Sequence, residues 1–294
     1  MLHALGGVRQ AIEPVGPDGL RLSRRSLLAG GIAALAAGFG AAPASASAAK
    51  EEADTSSQSR DEAIRSLPLA ELTPETRRKL MAVIERPSIY RRLPYKSIDC
   101  DPALYVFLIR NPEIVVSIWQ LMGISTMTAE RRGRYLWKGN DGAGTECDVE
   151  LIYGTDNLHV LYSDGFYEGS LLARKITGRC VLLLKTGFVQ SQDRRWHVAN
   201  RLDLFLQIDN TAADVVARTL SPWVGKVADA NFQESCYFAS KLSQTAEQNG
   251  AGVQKMADKL TQVEPPVRDE FAKLAAAVQQ RAALRDMSAA TQRR

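Results

Sequence analysis

The clearest pattern in the chain is an alternation of apolar and polar residues between positions 196 and 209. A period of two places successive side chains on opposite faces of a strand, so this run predicts a β-strand with one buried face. Its apolar row consists of Trp196, Val198, Leu202, Leu204, Leu206 and Ile208. His197, Arg201 and Asp203 belong to the other row, which we expect to be exposed.

Weaker forms of the same pattern precede this strand. Residues 145–153 and 158–162 alternate, and residues 179–190 are more continuously apolar. Short segments rich in Gly, Asp, Asn and Ser separate these runs, as is typical of connections between antiparallel strands. Residues 90–100 predict one more strand. We therefore expect a locally connected antiparallel sheet of about six or seven strands.

Helical patterns precede the alternating region. Thr73 and Pro74 suit the N-cap and first turn of a helix that reaches about residue 85. Asp101-Pro102 then begins an apolar helix, and Asn111-Pro112-Glu113 divides it from a second helix that reaches about residue 122. Two short helices are thus predicted after the first strand.

A long helical segment follows the last predicted strand, from about residue 211. Pro222 should kink it or start a second helix. Its candidate core residues include Val216, Leu220, Val224 and Phe232. A further helix is predicted over residues 266–286. The chain should therefore be an α+β protein whose long C-terminal helix packs across the sheet.

The first 48 residues contain the three parts of a twin-arginine (Tat) signal peptide. Arg24 and Arg25 form the arginine pair, a weakly apolar stretch follows, and Ala46 and Ala48 fit the rule for cleavage before residue 49. We expect the Tat translocase to export the folded chain, and the mature protein to be periplasmic or otherwise extracytoplasmic and soluble. The alternative is an N-terminus that is retained as a membrane anchor.

Five segments follow from these patterns. Residues 1–48 are the signal peptide, residues 49–72 a polar segment predicted to be a disordered tether, and residues 73–89 an accessory helix. Residues 90–249 form the main domain, and residues 250–294 a helical extension and tail.

Charge argues against a nucleic-acid partner. The whole chain has 37 basic and 33 acidic residues. Removing residues 1–48 takes away four basic and two acidic residues and leaves 33 and 31, a net charge of +2. Proteins built around nucleic-acid phosphates usually have a strong basic excess. No stretch after residue 48 is long and apolar enough to predict a membrane span.

The sequence shows no catalytic motif. Cys100, Cys147, Cys180 and Cys236 are too widely spaced for a zinc or iron–sulfur signature, and we expect them to be buried thiols rather than disulfides. After the signal peptide the histidines are His159 and His197, both predicted on exposed or rim positions without a second histidine at metal-ligand spacing. No catalytic residue, metal site or cofactor is indicated.

The order of these elements resembles the START-like superfamily, also called the polyketide-cyclase, SRPBCC or helix-grip fold. The resemblance rests on residues 96–102 leading into the apolar run 104–108, then Asn111-Pro112-Glu113 and Trp119, and it spans residues 90–249. It implies a curved antiparallel sheet wrapped on the long helix, with a cavity between them for a hydrophobic molecule.

Carried over by position, that cavity would be lined from the last strand, the long helix and the helix pair. The implied lining residues are Trp119, Trp196, Val198, Leu202, Leu204, Leu206, Val216, Leu220, Val224 and Phe232, and the polar cavity or rim residues are His197, Arg201 and Asp203. The first hypothesis is extracytoplasmic binding or carriage of a lipid or other hydrophobic small molecule. The alternatives are a cyclase- or hydrolase-type enzyme, and a non-catalytic envelope interaction module with a filled core.

Overall fold

An open antiparallel sheet of eight strands forms the centre of the computed structural model. The structure describes residues 52–169, 175–209 and 213–292, without the side chains of residues 213–223, 289, 290 and 292. The strands are β1 (Ile89–Arg92), β2 (Lys96–Asp99), β3 (Thr128–Gly133), β4 (Leu136–Asn140), β5 (Thr145–Gly154), β6 (Leu158–Tyr167), β7 (Ile176–Gln190) and β8 (Trp196–Ile208). Their order is β1-β8-β7-β6-β5-β4-β3, and β2 also pairs with β8. The α+β class and the antiparallel sheet are as the sequence predicts.

Six helices accompany this sheet in the described residues. They are α1 (Ser57–Arg65), α2 (Pro74–Ile84), α3 (Pro102–Arg110), α4 (Pro112–Leu121), α5 (Ala213–Asp258) and α6 (Pro265–Gln292). A short 3-10 turn, Leu69–Glu71, lies between α1 and α2. None of the described helices combines the length and the apolar character that a membrane crossing needs.

The predicted strand over residues 90–100 is divided in two. β1 and β2 pair with successive parts of β8, and Leu93 still donates its N–H to the Leu202 carbonyl at 2.8 Å. Pro94 has no N–H to continue the ladder, which accounts for the interruption. The hairpin of β3 and β4 adds two strands that were not predicted individually.

The sheet buries side chains on both faces. On the inner face, Leu182 is paired with Leu204 and Leu184 with Leu202. These leucines pack against α5 in one apolar cluster, which includes Val224, Ala228 and Phe232. Because neighbouring residues of a strand point to opposite faces, Phe205 lies on the outer face.

Helices α1 and α2 cover the outer face. Phe205, Val181 and Leu183 form a second apolar cluster with Leu80 and Val83 of α2. Thr73 caps α2 by accepting a hydrogen bond from the N–H of Thr76 at 3.2 Å, and Pro74 occupies its first turn. The accessory helix therefore begins where the sequence predicts and covers the side of the sheet away from α5.

The prediction of a disordered tether over residues 49–72 is wrong for most of that segment. Helix α1 lies within it, and Ala63 is completely buried against the outer face. Asp54 and Arg92 also exchange backbone hydrogen bonds, of 2.9 and 2.8 Å. Few apolar residues suffice here because the partly buried Arg92 of β1 forms hydrogen bonds with Ser59 and Glu62 of α1. The composition of residues 49–72 alone gives no indication of a partner so distant in sequence.

The C-terminal extension belongs to the main packing unit. α5 continues through Pro222, where the sequence predicts a kink or a new helix, and departs from helical geometry at Asn249 (φ −147°, ψ 63°). The Asn249 side chain accepts from the N–H of Gly252 at 2.9 Å and so caps the next helical segment. Phe271 of α6 stacks on Phe107 of α3, with 6.0 Å between the ring centroids.

Candidate functional site

A cavity of about 220 Å³ lies between the inner face of the sheet and helices α3, α4 and α5. The sheet contributes leucines from its central strands: Leu161, Leu182, Leu184 and Leu202. The α3–α4 pair contributes Tyr105, Leu108, Ile109, Pro112, Val115, Val116 and Trp119, and α5 contributes Phe232, Ser235, Cys236, Phe238 and Ala239. At the β3 edge of the sheet, the far end of the cavity is formed by Met127, Thr128, Ala129, Trp137, Gly139 and Val149. The wall is therefore almost entirely apolar.

Aromatic rings form a large part of this wall. The ring of Trp119 meets that of Phe238 edge-on, with 5.2 Å between the centroids. Trp119 and Trp137 are both about 1% exposed. An edge-on pair presents one ring face and one ring edge to the space beside it, which suits contact with another planar group.

The fold brings these residues together through the consecutive helices α3 and α4. Asp101 accepts hydrogen bonds from the N–H groups of Ala103 and Leu104 at 3.0 and 3.1 Å and so fixes the start of α3. α3 ends at Asn111, and Pro112 begins α4 at once. The break between the two helices directs Ile109 and Pro112 at the same cavity.

A buried ion pair stands behind the aromatic end of the wall. Arg131 on β3 donates from Nε to Oε1 of Glu113 at 2.8 Å, and Trp137 donates its indole N–H to Oε2 at 2.7 Å. The Arg131 guanidinium also lies over the Trp137 ring, 5.1 Å from its centroid. Glu113 is 3% exposed. Its charge is thus balanced by a cation and two hydrogen bonds.

Only part of the predicted lining contacts the cavity. Trp119, Leu202 and Phe232 line it. Val198, Leu204, Leu206 and Val224 are buried in the adjoining apolar clusters but do not border the open space. The side chains of Val216 and Leu220 lie outside the described residues, as do Arg24, Arg25, Ala46 and Ala48 of the predicted signal peptide.

Trp196 lies away from this cavity, contrary to its predicted place in the wall. It is 37% exposed and borders a separate groove with Arg281 and Arg285 of α6. Trp196 is the first residue of β8, and α6 approaches this end of the strand. The alternation identifies its face correctly but cannot place the end of the cavity along the strand.

The three predicted rim residues belong to separate places and not to the cavity. His197 contacts Asp99 across the β2–β8 pair, with Nδ1 and Oδ1 2.7 Å apart. Arg201 is exposed on the outer face.

Asp203 lies on the outer face too but is fully buried. Its Oδ1 accepts hydrogen bonds from Tyr90 Oη at 2.7 Å and from Arg92 Nε at 2.8 Å. The exposed position predicted for Asp203 is therefore wrong, and its carboxylate is paired with Arg92.

His159 is buried on the inner face, where the sequence predicts an exposed or rim position. Its Nε2 accepts a hydrogen bond from Arg110 Nε at 3.3 Å. Burial, and then the positive charge of Arg110, lower the pKa of His159 to about 4. The ring is therefore neutral at neutral pH. His159, His197 and Asp203 take part in three different networks and do not converge on one point.

All four cysteines are buried free thiols. Burial raises the pKa of Cys180 and of Cys236 to about 12, and it raises the pKa values of Cys100 and Cys147 as well. Cys236 borders the cavity. Thiols with such raised pKa values are poor nucleophiles at neutral pH. Within the described residues, no group of three or more His, Cys, Asp or Glu side chains could hold a metal ion.

The sequence did not reveal the far end of the cavity. Its walls come from β3 and β4, where inward residues such as Ala129 and Gly139 are small and their neighbours are charged. The alternation of Trp137 and Gly139 with exposed Leu136 and Lys138 was the available signal. It was weak because only five residues form the strand.

Comparison with known proteins gives little further guidance. No family model and no curated protein matches the chain. A crystal structure of a hypothetical protein from Helicobacter pylori is similar to part of it, with 11% sequence identity, a TM-score of 0.33, and coverage of 50% of this chain and 87% of that chain.

Proposed function

We propose that this protein binds a hydrophobic small molecule in the cavity between the inner sheet face and α5. The supporting observation is the cavity itself: about 220 Å³ of space surrounded by apolar and aromatic side chains. An apolar cavity of about 150 Å³ stays free of water and binds benzene, so this space is large enough for a ligand. The alternative of a filled core is less compatible with such a space.

The proposal agrees with the START-like resemblance of residues 90–249. A long helix packs on an antiparallel sheet, and the cavity lies between the two. Contact with apolar walls contributes roughly 25 cal/mol for each Å² of ligand surface removed from water. Shape and apolar contact would therefore supply most of the affinity, and the protein would act as a binder or carrier.

The first test is native mass spectrometry of the mature protein, purified without detergent. We expect an added mass that disappears on denaturation and that solvent extraction recovers. A bare protein that also binds no hydrophobic compound from a small library would overturn the proposal.

A matched pair of alanine substitutions tests the place of binding. Ala239 and Ala228 are both buried on α5, but only Ala239 borders the cavity. Ala239→Leu should fill part of the space, abolish binding and leave stability unchanged or higher. Ala228→Leu should overpack a filled region, lower stability by about 1–3 kcal/mol and retain binding. If Ala228→Leu does not fold, Ala228→Val serves as the milder control; equal binding by the Ala239 variant would place the ligand elsewhere.

We also propose that the chain is exported by the Tat pathway before it acts. The support is the sequence pattern around Arg24 and Arg25, which lies outside the described residues. Replacing both arginines with lysine should retain the precursor inside the cell. Unchanged export of that variant, measured by cell fractionation, would exclude the Tat route without affecting the binding proposal.

A further inference from the structure

We infer that the ligand of this cavity is a compact, uncharged, ring-containing hydrophobe and not an acyl-chain lipid with a charged head group. This inference rests on the proposed function and narrows it to one chemical class. Three properties of the wall carry the argument: its volume, its lack of charge and its aromatic content.

The volume limits the size of the ligand. Small-molecule sites commonly enclose about 300–1,000 Å³, and this cavity has about 220 Å³. It exceeds the roughly 150 Å³ that accommodates a benzene ring. A substituted or two-ring molecule is therefore of suitable size, whereas a long acyl chain would have to leave much of its length in water.

The wall offers no partner for an ionised group. Among the residues that the structure describes, every one that borders the cavity is uncharged. Arg131 and Glu113 contact the back of Trp137, but each already has the other as its partner. An ionised ligand would lose its hydration without gaining a counter-charge, at a cost of several kcal/mol.

The more exposed part of the wall does not change this conclusion. Ile109, Pro112 and Val115 at the α3–α4 junction are half-buried, and Thr128 on β3 is exposed. Ser235 of α5, also half-buried in the wall, already donates its hydroxyl proton to the Asn231 carbonyl at 2.8 Å. A head group left at the more exposed part of the wall would therefore meet aliphatic side chains and two hydroxyl groups, and no charge. Arg110, the next residue after Ile109, is already bonded to His159 and paired with Asp156.

The aromatic residues favour a ligand with a ring. Tyr105, Trp119, Trp137, Phe232 and Phe238 surround the space. Tyr105 donates its hydroxyl proton to Asn200 Oδ1 at 2.6 Å, so its oxygen can act only as an acceptor toward a ligand. A ring that bears one hydroxyl group could contact the aromatic wall and donate a hydrogen bond to the Tyr105 oxygen.

The test compares four compounds on the mature protein at neutral pH: naphthol, naphthoate, dodecanol and palmitate. Naphthol and naphthoate are compact, whereas dodecanol and palmitate are extended. Naphthol and dodecanol are neutral at this pH, and naphthoate and palmitate are ionised. Quenching of tryptophan fluorescence reports on the site, since Trp119 and Trp137 are in the wall, and calorimetry gives the affinity independently. Naphthol should bind, naphthoate should bind at least about a hundredfold more weakly, and neither long-chain compound should bind saturably.

The outcomes separate the inference from the proposed function. Equal affinity for naphthoate would overturn the requirement for an uncharged ligand, and tighter binding of dodecanol or palmitate would overturn the requirement for a compact one. In both cases loss of binding in Ala239→Leu would leave the cavity as the site. If none of the four compounds binds and native mass spectrometry shows a bare protein, the proposed function itself fails.

Discussion

The indole N–H of Trp137 donates a hydrogen bond to Oε2 of Glu113 over 2.7 Å, and this contact joins the cavity wall to the first turn of α4. The other carboxylate oxygen of Glu113 accepts from Arg131 on β3. One buried side chain thus connects α4, β3 and β4. Its removal should affect both the stability of the protein and the shape of the cavity.

Replacing Glu113 with leucine should destabilise the protein by about 3–5 kcal/mol, because Arg131, whose side chain is 12% exposed, would lose its counter-charge and keep only the Asn111 oxygen as a hydrogen-bond acceptor. Urea unfolding measures this loss. The matched control is Glu130→Ala on β3, the strand that contains Arg131. Its partner Arg132 is half-exposed, and there we expect a loss of at most about 1 kcal/mol. Similar losses for the two variants would mean that the buried pair has no special role.

The lowered pKa of His159 predicts that the protein loses stability in acid. Its pKa is lowered from 6.5 to about 4 in the folded protein, so the unfolded chain binds the proton more readily between these values. Stability from this group is therefore present above pH 6.5 and is lost as the pH falls toward 4. The total is about 3.5 kcal/mol, from roughly 1.4 kcal/mol for each pK unit.

The measurement is the free energy of unfolding at several pH values for the wild type and for His159→Gln. Carboxylates titrate in the same range, so the informative quantity is the difference between the two proteins. The glutamine variant should have a shallower acid slope. Parallel curves would show that His159 does not titrate as its burial requires.

The strands and helices with strong periodicity were predictable from sequence, because the residues that determine them lie within the element itself. β8 and the α3–α4 pair have an apolar period, and the helix pair has clear start signals in the cap at Asp101 and in Pro112 in the first turn of α4. α1 has an N-cap at Ser56 but no apolar period, since Ala63 is its only buried apolar residue. Its polar contacts to the sheet come from Arg92, which is distant in sequence.

The cavity was predictable only in part for a related reason. Alternation along β8 identifies the inward face that contains Leu202, but it does not show where along the strand the space lies. Trp196 and Leu202 share that row, yet six residues of β-strand separate them by about 20 Å. His159 shares its row on β6 with Leu161, while Val160 and Tyr162 form the opposite row, and both rows are buried. The sequence alone does not show which row faces inward, and the pairing of Leu161 with Leu182 of β7 decides it.

The four thiols should be inert in the folded protein. Each is buried and its pKa is raised, so little thiolate is present at neutral pH. A chromogenic disulfide reagent should find no reactive thiol in the native protein and four in denaturant. Reductant should leave the melting temperature unchanged.

If one thiol does react slowly, we expect it to be Cys236, because Cys236 borders the cavity. A bound ligand should then slow that reaction. Ligand protection of another cysteine alone would contradict the assigned site.

Arg92 should hold the N-terminal segment on the outer face of the sheet. Its guanidinium contacts Asp203 at 2.8 Å, Glu62 at 3.0 Å and both the hydroxyl and the carbonyl of Ser59 at 3.0 Å. Replacing Arg92 with methionine keeps most of the aliphatic chain but leaves the fully buried Asp203 with Tyr90 as its remaining partner. We expect a loss of about 3–5 kcal/mol and faster amide hydrogen exchange throughout α1.

The neighbouring residue provides the control for this prediction. Arg91 also forms an ion pair, with Asp229 on α5, but both side chains are more than 20% exposed and neither contacts α1. Arg91→Met should therefore destabilise less and leave exchange in α1 unchanged. If the amides of α1 still exchange slowly in Arg92→Met, the apolar contacts of Ala63 and Leu67 hold the helix by themselves. If exchange in α1 is faster in both variants, the segment responds to global stability and not specifically to Arg92.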